Sequence, residues 1–129
     1  DPAVNPYAVR VVITGSRPDP SAFGEFPHFI SFDGFIDVEY TPEQLERVAL
    51  ISEPFCRYAK WKGGPEPLPA QEKQVIEQLI AKSHKAGKPI RFWCSPDNAV
   101  AWETFRKLGI DIINTDQPEA CTLYFQQNP

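Results

Sequence analysis

KPIRFWCSPDNAVAWETFRKLGIDIINTDQPE, residues 88–119, decides how this chain folds. Ile90 to Cys94 reads as a strand, and Ser95-Pro96-Asp97 supplies a cap and a proline suited to a helix start. Trp102, Phe105 and Leu108 recur on one face of the helix that follows, and Gly109 stops it. Ile110 to Asn114 is a second strand, after which Asp116 is placed to cap a last helix with Glu119 three residues on. Strand, helix and strand within about thirty residues have the size of a βαβ unit. Parallel sheets built this way gather their ligands at the carboxyl ends of the strands. The polar exits at 94–97 and 114–116 therefore mark a functional rim.

The same alternation extends toward the N-terminus. Ala70 to Ala86 is a helix, with Val75, Ile76, Leu79 and Ile80 at helical spacing and Gly87 as its stop. Thr41-Pro42-Glu43-Gln44 opens another, with Thr41 and Gln44 forming a capping box, and predicts helix to about Val48. Three strands precede the long helix: Val9 to Thr14, Phe29 to Phe32 ending at Asp33-Gly34, and Ala49 to Ser52. The unbroken apolar run of the first predicts burial on both faces. Residues 1–7 form an irregular lead-in, and 15–27 a loop with a short helical turn at Pro20 to Phe23. The stretch 58–69, YAKWKGGPEPLP, is a loop of a length that tends to be functional or mobile. The sum is four or five parallel βα units in a single α/β domain over residues 1–129. An open sheet fits that length, whereas a closed eight-stranded barrel needs about 250 residues.

Composition narrows the function. With 42% hydrophobic residues the chain can build a core, and its net charge of −4 without a basic cluster argues against a nucleic-acid partner. No apolar run approaches the ~18 residues of a transmembrane segment. The chain starts at Asp1 and lacks Met, which reads as a processed protein or a piece of a longer one. Cys56, Cys94 and Cys121 show no CxxC or metal spacing. Three buried thiols are the expectation, with one disulfide plus a free thiol as the alternative. Gly63-Gly64 runs into Pro65 rather than a helix start with Lys-Ser/Thr, which excludes a P-loop.

Arg91-Phe92-Trp93, Ser95-Pro96-Asp97 and Gly109 to Asp116 resemble the last two βα units of the phospholipase-C-like phosphodiesterases, the superfamily that includes glycerophosphodiester phosphodiesterases. Those proteins carry a Trp-bearing strand, a TPD-like helix start and a G-[VI]-D-x-I-x-T-D ending. Val11 to Pro18 and Ile30 to Gly34 are similar to the VVISGNRP … FDGR stretch of a secreted branch, and Trp61-Lys62-Gly63-Gly64 to its W-x-G-x-G segment. The resemblance covers essentially the whole chain in order. It implies the C-terminal half of a TIM-type (β/α)8 barrel that hydrolyses a glycerophosphodiester or phosphoinositide-type substrate. It also implies a divalent cation, Ca or Mg, in the complete barrel, with none bound by this chain alone. The superfamily's paired catalytic His and its Glu and Asp metal ligands belong to the first half of the barrel. His28 and His84 lack the neighbours of that motif, so no catalytic role passes to them. The implied partner is a missing N-terminal half or a second copy of the chain, and the implied location is secreted or periplasmic.

Four residues are the substrate-binding candidates. Trp93, at a strand end, is a wall of the pocket or a core aromatic. Arg17 is placed to hold a phosphate oxygen or to fix its own loop by a salt bridge. Asp33 ends a strand with no evident helix to cap, although Asp-Gly also makes a turn. Lys60 flanks Trp61 in the long loop. Asp97 and Asp116, one after each of the last two strands, are expected to cap helices rather than to act as paired carboxylates. The rival expectation is a small, non-enzymatic α/β binding domain that uses the 58–69 loop to recognise a partner.

Overall fold

The structure is a computed structural model and describes residues 8–129. The expected lead-in at 1–7 lies outside the described residues. Five strands run parallel in sequential order: β1 (Val11–Ile13), β2 (Ile30–Gly34), β3 (Val48–Pro54), β4 (Ile90–Trp93) and β5 (Ile112–Ile113). The sheet is curled like half of a barrel. Helices α1 (Pro42–Glu46), α2 (Phe55–Tyr58), α3 (Ala70–Lys85), α4 (Ala99–Leu108) and α5 (Pro118–Gln127) fill the connections, with a 3-10 turn at Pro20–Glu25.

Local signals explain most boundaries. Thr41 and Gln44 form the expected capping box, and α1 ends one turn later at Glu46. Helix α3 closes in Lys82, His84 and Lys85, cations suited to its carbonyl end. Gly109 terminates α4 in the left-handed region at φ 87°. The caps predicted for the last two helices are different, however. Asn98 caps α4 by accepting from Ala101 N, and α5 has no side-chain cap at all. Asp97 and Asp116 are therefore not caps.

The strands have two unlike faces. Phe32, Ile51, Ile90 and Phe92 point to the helices and form one core with Phe55, Ile76, Ile80 and Phe105. Ring pairs stiffen that core: Phe23 stacks on Phe32 at 4.1 Å, and Phe55 meets Phe105 edge-on at 5.4 Å. Gly34 allows the layers to close, because a Cβ there would lie 2.7 Å from Val48 Cγ1. Asp33-Gly34 thus ends strand β2 and is not a turn. The intervening residues Ser31, Asp33, Ser52, Arg91 and Trp93 project from the other face. No described helix packs on that face, where Val12 beside Ser31 is only half-buried, and on the helix side Val11 is 41% exposed, so β1 is not buried on both sides as its apolar run predicted.

Cys56, at the start of α2, is bridged to Cys94, just after β4, with 5.6 Å between their Cα atoms. Cys121 is free and buried. Two of the three cysteines are therefore joined rather than being buried thiols. Sequence spacing gave no sign of the pairing, because the partners lie 38 residues apart and meet only when β3 and β4 align.

Candidate functional site

The carboxyl ends of four strands converge on one cleft of about 320 Å³, lined by Thr14, Gly15, Arg17, Asp33, Phe35, Ser52, Arg91 and Trp93. Period-two alternation explains the set. Asp33, Ser52 and Arg91 each follow a residue committed to the core, so the pleat turns them the other way. The register places Ser52 directly opposite Arg91 and Pro54 opposite Trp93.

Asp33 is the hub. Its carboxylate is almost fully buried. Thr14 Oγ1 donates to Oδ2 at 2.6 Å, and Arg91 Nη2 approaches the same oxygen at 3.4 Å. The Arg17 guanidinium pairs with Oδ1 and also donates from Nη1 to the Asp33 carbonyl at 2.9 Å. Buried charge needs such compensation, and here the cations and the hydroxyl share one anion. Burial lowers the Arg17 pKa from the usual arginine value, with Arg91 adding to the effect while Tyr40 and Glu53 oppose it. Arg17 also stacks over the Phe35 ring, 3.7 Å from its centroid.

Arg91 is held from the opposite side. Its Nε and Nη2 donate to Ser52 Oγ at 3.1 and 2.8 Å. Its Nη1 has no protein partner among the described residues, and neither has the indole N–H of Trp93. Ser52 accepts twice and still has a hydroxyl proton to give. The Asp33 carboxylate is already paired with both arginines. What faces the cleft is thus a set of donors, with Arg17 and Arg91 outweighing Asp33 by one positive charge. A group that only accepts hydrogen bonds and carries negative charge is the matching ligand.

Three of the four candidates from sequence therefore meet in one place: Arg17, Asp33 and Trp93, the last 46% exposed. Arg17 fixes its loop through Asp33, as one of its two readings expects, and it also lines the cleft. Lys60 is not part of this group. It is exposed in the long loop, where its backbone N–H and that of Trp61 bond the Glu72 carboxylate. The same loop turns Trp61 inward: it is buried, donates to the Glu66 carbonyl at 2.7 Å and packs edge-on against Phe105. The Trp61 indole is therefore part of the core and not of the surface that the 58–69 loop presents. Arg91, Thr14 and Ser52 were not candidates. The signal for Arg91 was present in the alternation of Ile90-Arg91-Phe92-Trp93, which sets the two apolar core residues apart from Arg91 and Trp93.

Several other ionisable groups serve the fold. Glu53 is buried on the helix face, where Oε1 accepts from Ile36 N at 2.7 Å and Oε2 from the Tyr58 hydroxyl at 3.0 Å. Burial and then the Glu53 charge push the Tyr58 pKa up. Asp97 ties two loops together, accepting from Trp102 Nε1 at 2.8 Å and from Asp116 N at 2.9 Å. Burial of Asp97 favours the neutral acid, but hydrogen bonds from Thr115, Asp116, Trp102 and Gln117 prevail and lower its pKa. His84 contacts Asp111, whose carboxylate also accepts from Ile90 N at the amino end of β4, away from the cleft. His28 precedes β2 and likewise lies toward the amino ends.

No protein-family model, curated protein or solved structure matches the chain.

Proposed function

We propose that this chain forms the C-terminal half of a (β/α)8 phosphodiesterase barrel of the phospholipase-C-like type, and that the Thr14–Trp93 cleft is its share of the substrate pocket. The supporting observation is the convergence of Arg17, Arg91, Ser52 and Trp93 at the carboxyl ends of parallel strands, with donors left over for an anion. The substrate class is a phosphodiester of the glycerophosphodiester or phosphoinositide kind. Arg91 binds a phosphate oxygen, Ser52 and Asp33 hold Arg91 and Arg17 in place, and Trp93 walls the pocket. Among the described residues one sheet face is uncovered and the outer edges of β1 and β5 have no partner strand, which suits a complementary half, since such edges otherwise invite aggregation.

General acid–base groups and the divalent cation belong, in this reading, to the other half. Among the described residues no cluster of three or more His, Cys, Asp or Glu is placed to hold a cation. Asp33, the carboxylate nearest the cleft, is already neutralised by Arg17 and Arg91. The Cys56–Cys94 bridge fits an oxidising compartment.

The test is a hydrolysis assay on the full polypeptide of the gene, with glycerophosphocholine or a nitrophenyl phosphodiester as substrate and Mg or Ca added. Hydrolysis that Arg91→Gln reduces by about tenfold or more supports the reading. A full polypeptide that binds these diesters but never cleaves them rejects the enzyme, and one that does neither rejects the site.

A further inference from the structure

We propose that the Cys56–Cys94 disulfide is a redox switch of the cleft: closed, it holds the Trp93 wall, and opened by a dithiol it releases that wall while the fold stays intact. The inference concerns the regulation of the site proposed above and rests on that reading for what the cleft binds. The bridge joins the carboxyl ends of neighbouring strands. Pro54 opposite Trp93 is the last pair of the β3–β4 register, and Cys56 and Cys94 lie just beyond it. Both cysteines are exposed, and exposed disulfides are the ones open to thiol exchange.

The segments around the bridge are anchored without it. Phe55 and Phe92 are buried in the core and meet edge-on at 6.1 Å. Past Cys56, the Tyr58 hydroxyl donates to Glu53. Past Cys94, Ser95 Oγ donates to the Phe92 carbonyl at 3.3 Å, and Asp97 is tied to Trp102 and Asp116. Trp93 and Cys94 have no such anchors. Outside the strand ladder neither makes a hydrogen bond among the described residues, and Trp93 is 46% exposed. Cys94 holds φ 53°, a left-handed conformation disfavoured for a residue with a Cβ. Opening the bond lets Cys94 leave that region, and the chain then changes direction directly after Trp93. The chemistry is thiol–disulfide exchange. A thiolate of the dithiol attacks one bridge sulfur, and the other sulfur leaves as a thiolate and takes up a proton. The second thiol of the reductant then displaces the remaining cysteine from the mixed disulfide. The bridge gains two electrons and two protons, and the reductant becomes a disulfide.

The experiment treats the native full polypeptide of the gene with dithiothreitol, alkylates its thiols at timed intervals and maps them by peptide mass spectrometry. Cys56 and Cys94 should become labelled together, while Cys121, buried in α5, stays unlabelled as the internal marker of an intact fold. Acrylamide quenching of tryptophan fluorescence should rise over the same time course, and Trp93→Phe should abolish the rise. Phosphodiester hydrolysis should fall about tenfold on reduction, since the freed wall no longer positions the substrate, and should return on reoxidation. The double variant Cys56→Ser/Cys94→Ser should behave as the reduced form with or without dithiothreitol. A bridge that resists reduction, or one that opens only together with labelling of Cys121, overturns the switch. Labelling of Cys56 and Cys94 with unchanged quenching overturns its hold on Trp93, and hydrolysis that ignores reduction overturns its hold on the site. Absence of hydrolysis in both redox states counts against the enzymatic reading alone, and labelling and quenching then decide the switch by themselves.

Discussion

Replacing Cys56 and Cys94 together by serine tests whether the bridge holds the rim of the cleft. The disulfide closes a loop of 38 residues. The loss of chain entropy in the unfolded state is then worth about 4 kcal/mol. Both cysteines are exposed, so the serine hydroxyls meet water and add little penalty of their own. Cys94 adopts φ 53°, a left-handed conformation that costs a non-glycine residue roughly 1 kcal/mol or more. The bridge keeps Cys94 in that conformation, and Trp93 directly precedes it. Removing the bridge therefore lowers global stability and frees the Trp93 wall. For a domain of this size the expected fall in Tm is roughly 10–20 °C. Thermal unfolding followed by circular dichroism reads the first effect, and acrylamide quenching of tryptophan fluorescence the second, since Trp93 is exposed while Trp61 and Trp102 are buried. Thiol counting supplies the independent check. The denatured, unreduced protein should show one reactive thiol, Cys121, and three after reduction. In the native state Cys121 should react slowly, because burial and then the Asp97 charge raise its pKa. Three thiols before reduction, or a serine variant as stable as the parent, would refute the reasoning.

Three further perturbations address the cleft, the sheet and the loops. Arg91→Gln removes the charged donor that Ser52 holds and should weaken phosphate binding about tenfold or more in an NMR titration; unchanged affinity places the anion elsewhere. Gly34→Ala forces a methyl against Val48 Cγ1, 2.7 Å from the new Cβ, and should cost about 1–3 kcal/mol in urea unfolding, whereas a neutral result means Val48 moves freely. Asp97→Asn turns an acceptor of the Asp116 N–H into an amide and should cost about 1–2 kcal/mol at neutral pH. The folded pKa of Asp97 lies below the usual aspartate value of 3.8, so its contribution is complete above that pH and is lost as pH falls through the lower folded value. The gap between parent and variant should close in that acid window, and a gap that persists below it contradicts the assignment.

The elements with strong punctuation were legible in the sequence. Ala70 to Lys85 carries its apolar stripe and its stop, and Thr41 with Gln44 announces α1. Short strands were legible in kind but not in extent: β1 keeps three residues of the predicted six because Val9, 86% exposed, has nothing to pack against. Caps failed where a better partner existed. Asp97 was drawn away from the α4 terminus by Trp102 Nε1 and Asp116 N, and Asn98, one residue on, took the cap. One disulfide plus a free thiol was the alternative expectation and is what forms, but which cysteines pair was illegible because the partners belong to different βα units.

The cleft shows why a residue-by-residue weighing reached only part of the site. Arg17, Asp33 and Trp93 stood out because each is unusual at the end of a strand. Ser52 and Arg91 stood inside strands, where a single polar residue draws little notice. Taken across strands the pattern is plain: Asp33, Ser52 and Arg91 all alternate with residues of one apolar core, the register sets Ser52 beside Arg91, and Arg91 reaches across to Asp33, which lies opposite Leu50. A strand buried on both faces would not place a buried aspartate, a serine and an arginine in one layer, since each would lack a partner until the others arrived. Once they meet, Asp33 is paired with both arginines and Ser52 holds Arg91, while donors on Arg91, Ser52 and Trp93 are left over. Removing one member therefore disturbs the rest, and the coupling is measurable. Arg91→Gln and Ser52→Ala should each weaken phosphate binding, but the double variant should lose much less than the product of the two, because Ser52 acts on the ligand through Arg91. Independent, fully multiplicative losses would mean that Ser52 and Arg91 contact the anion separately and that the layer is not a single unit.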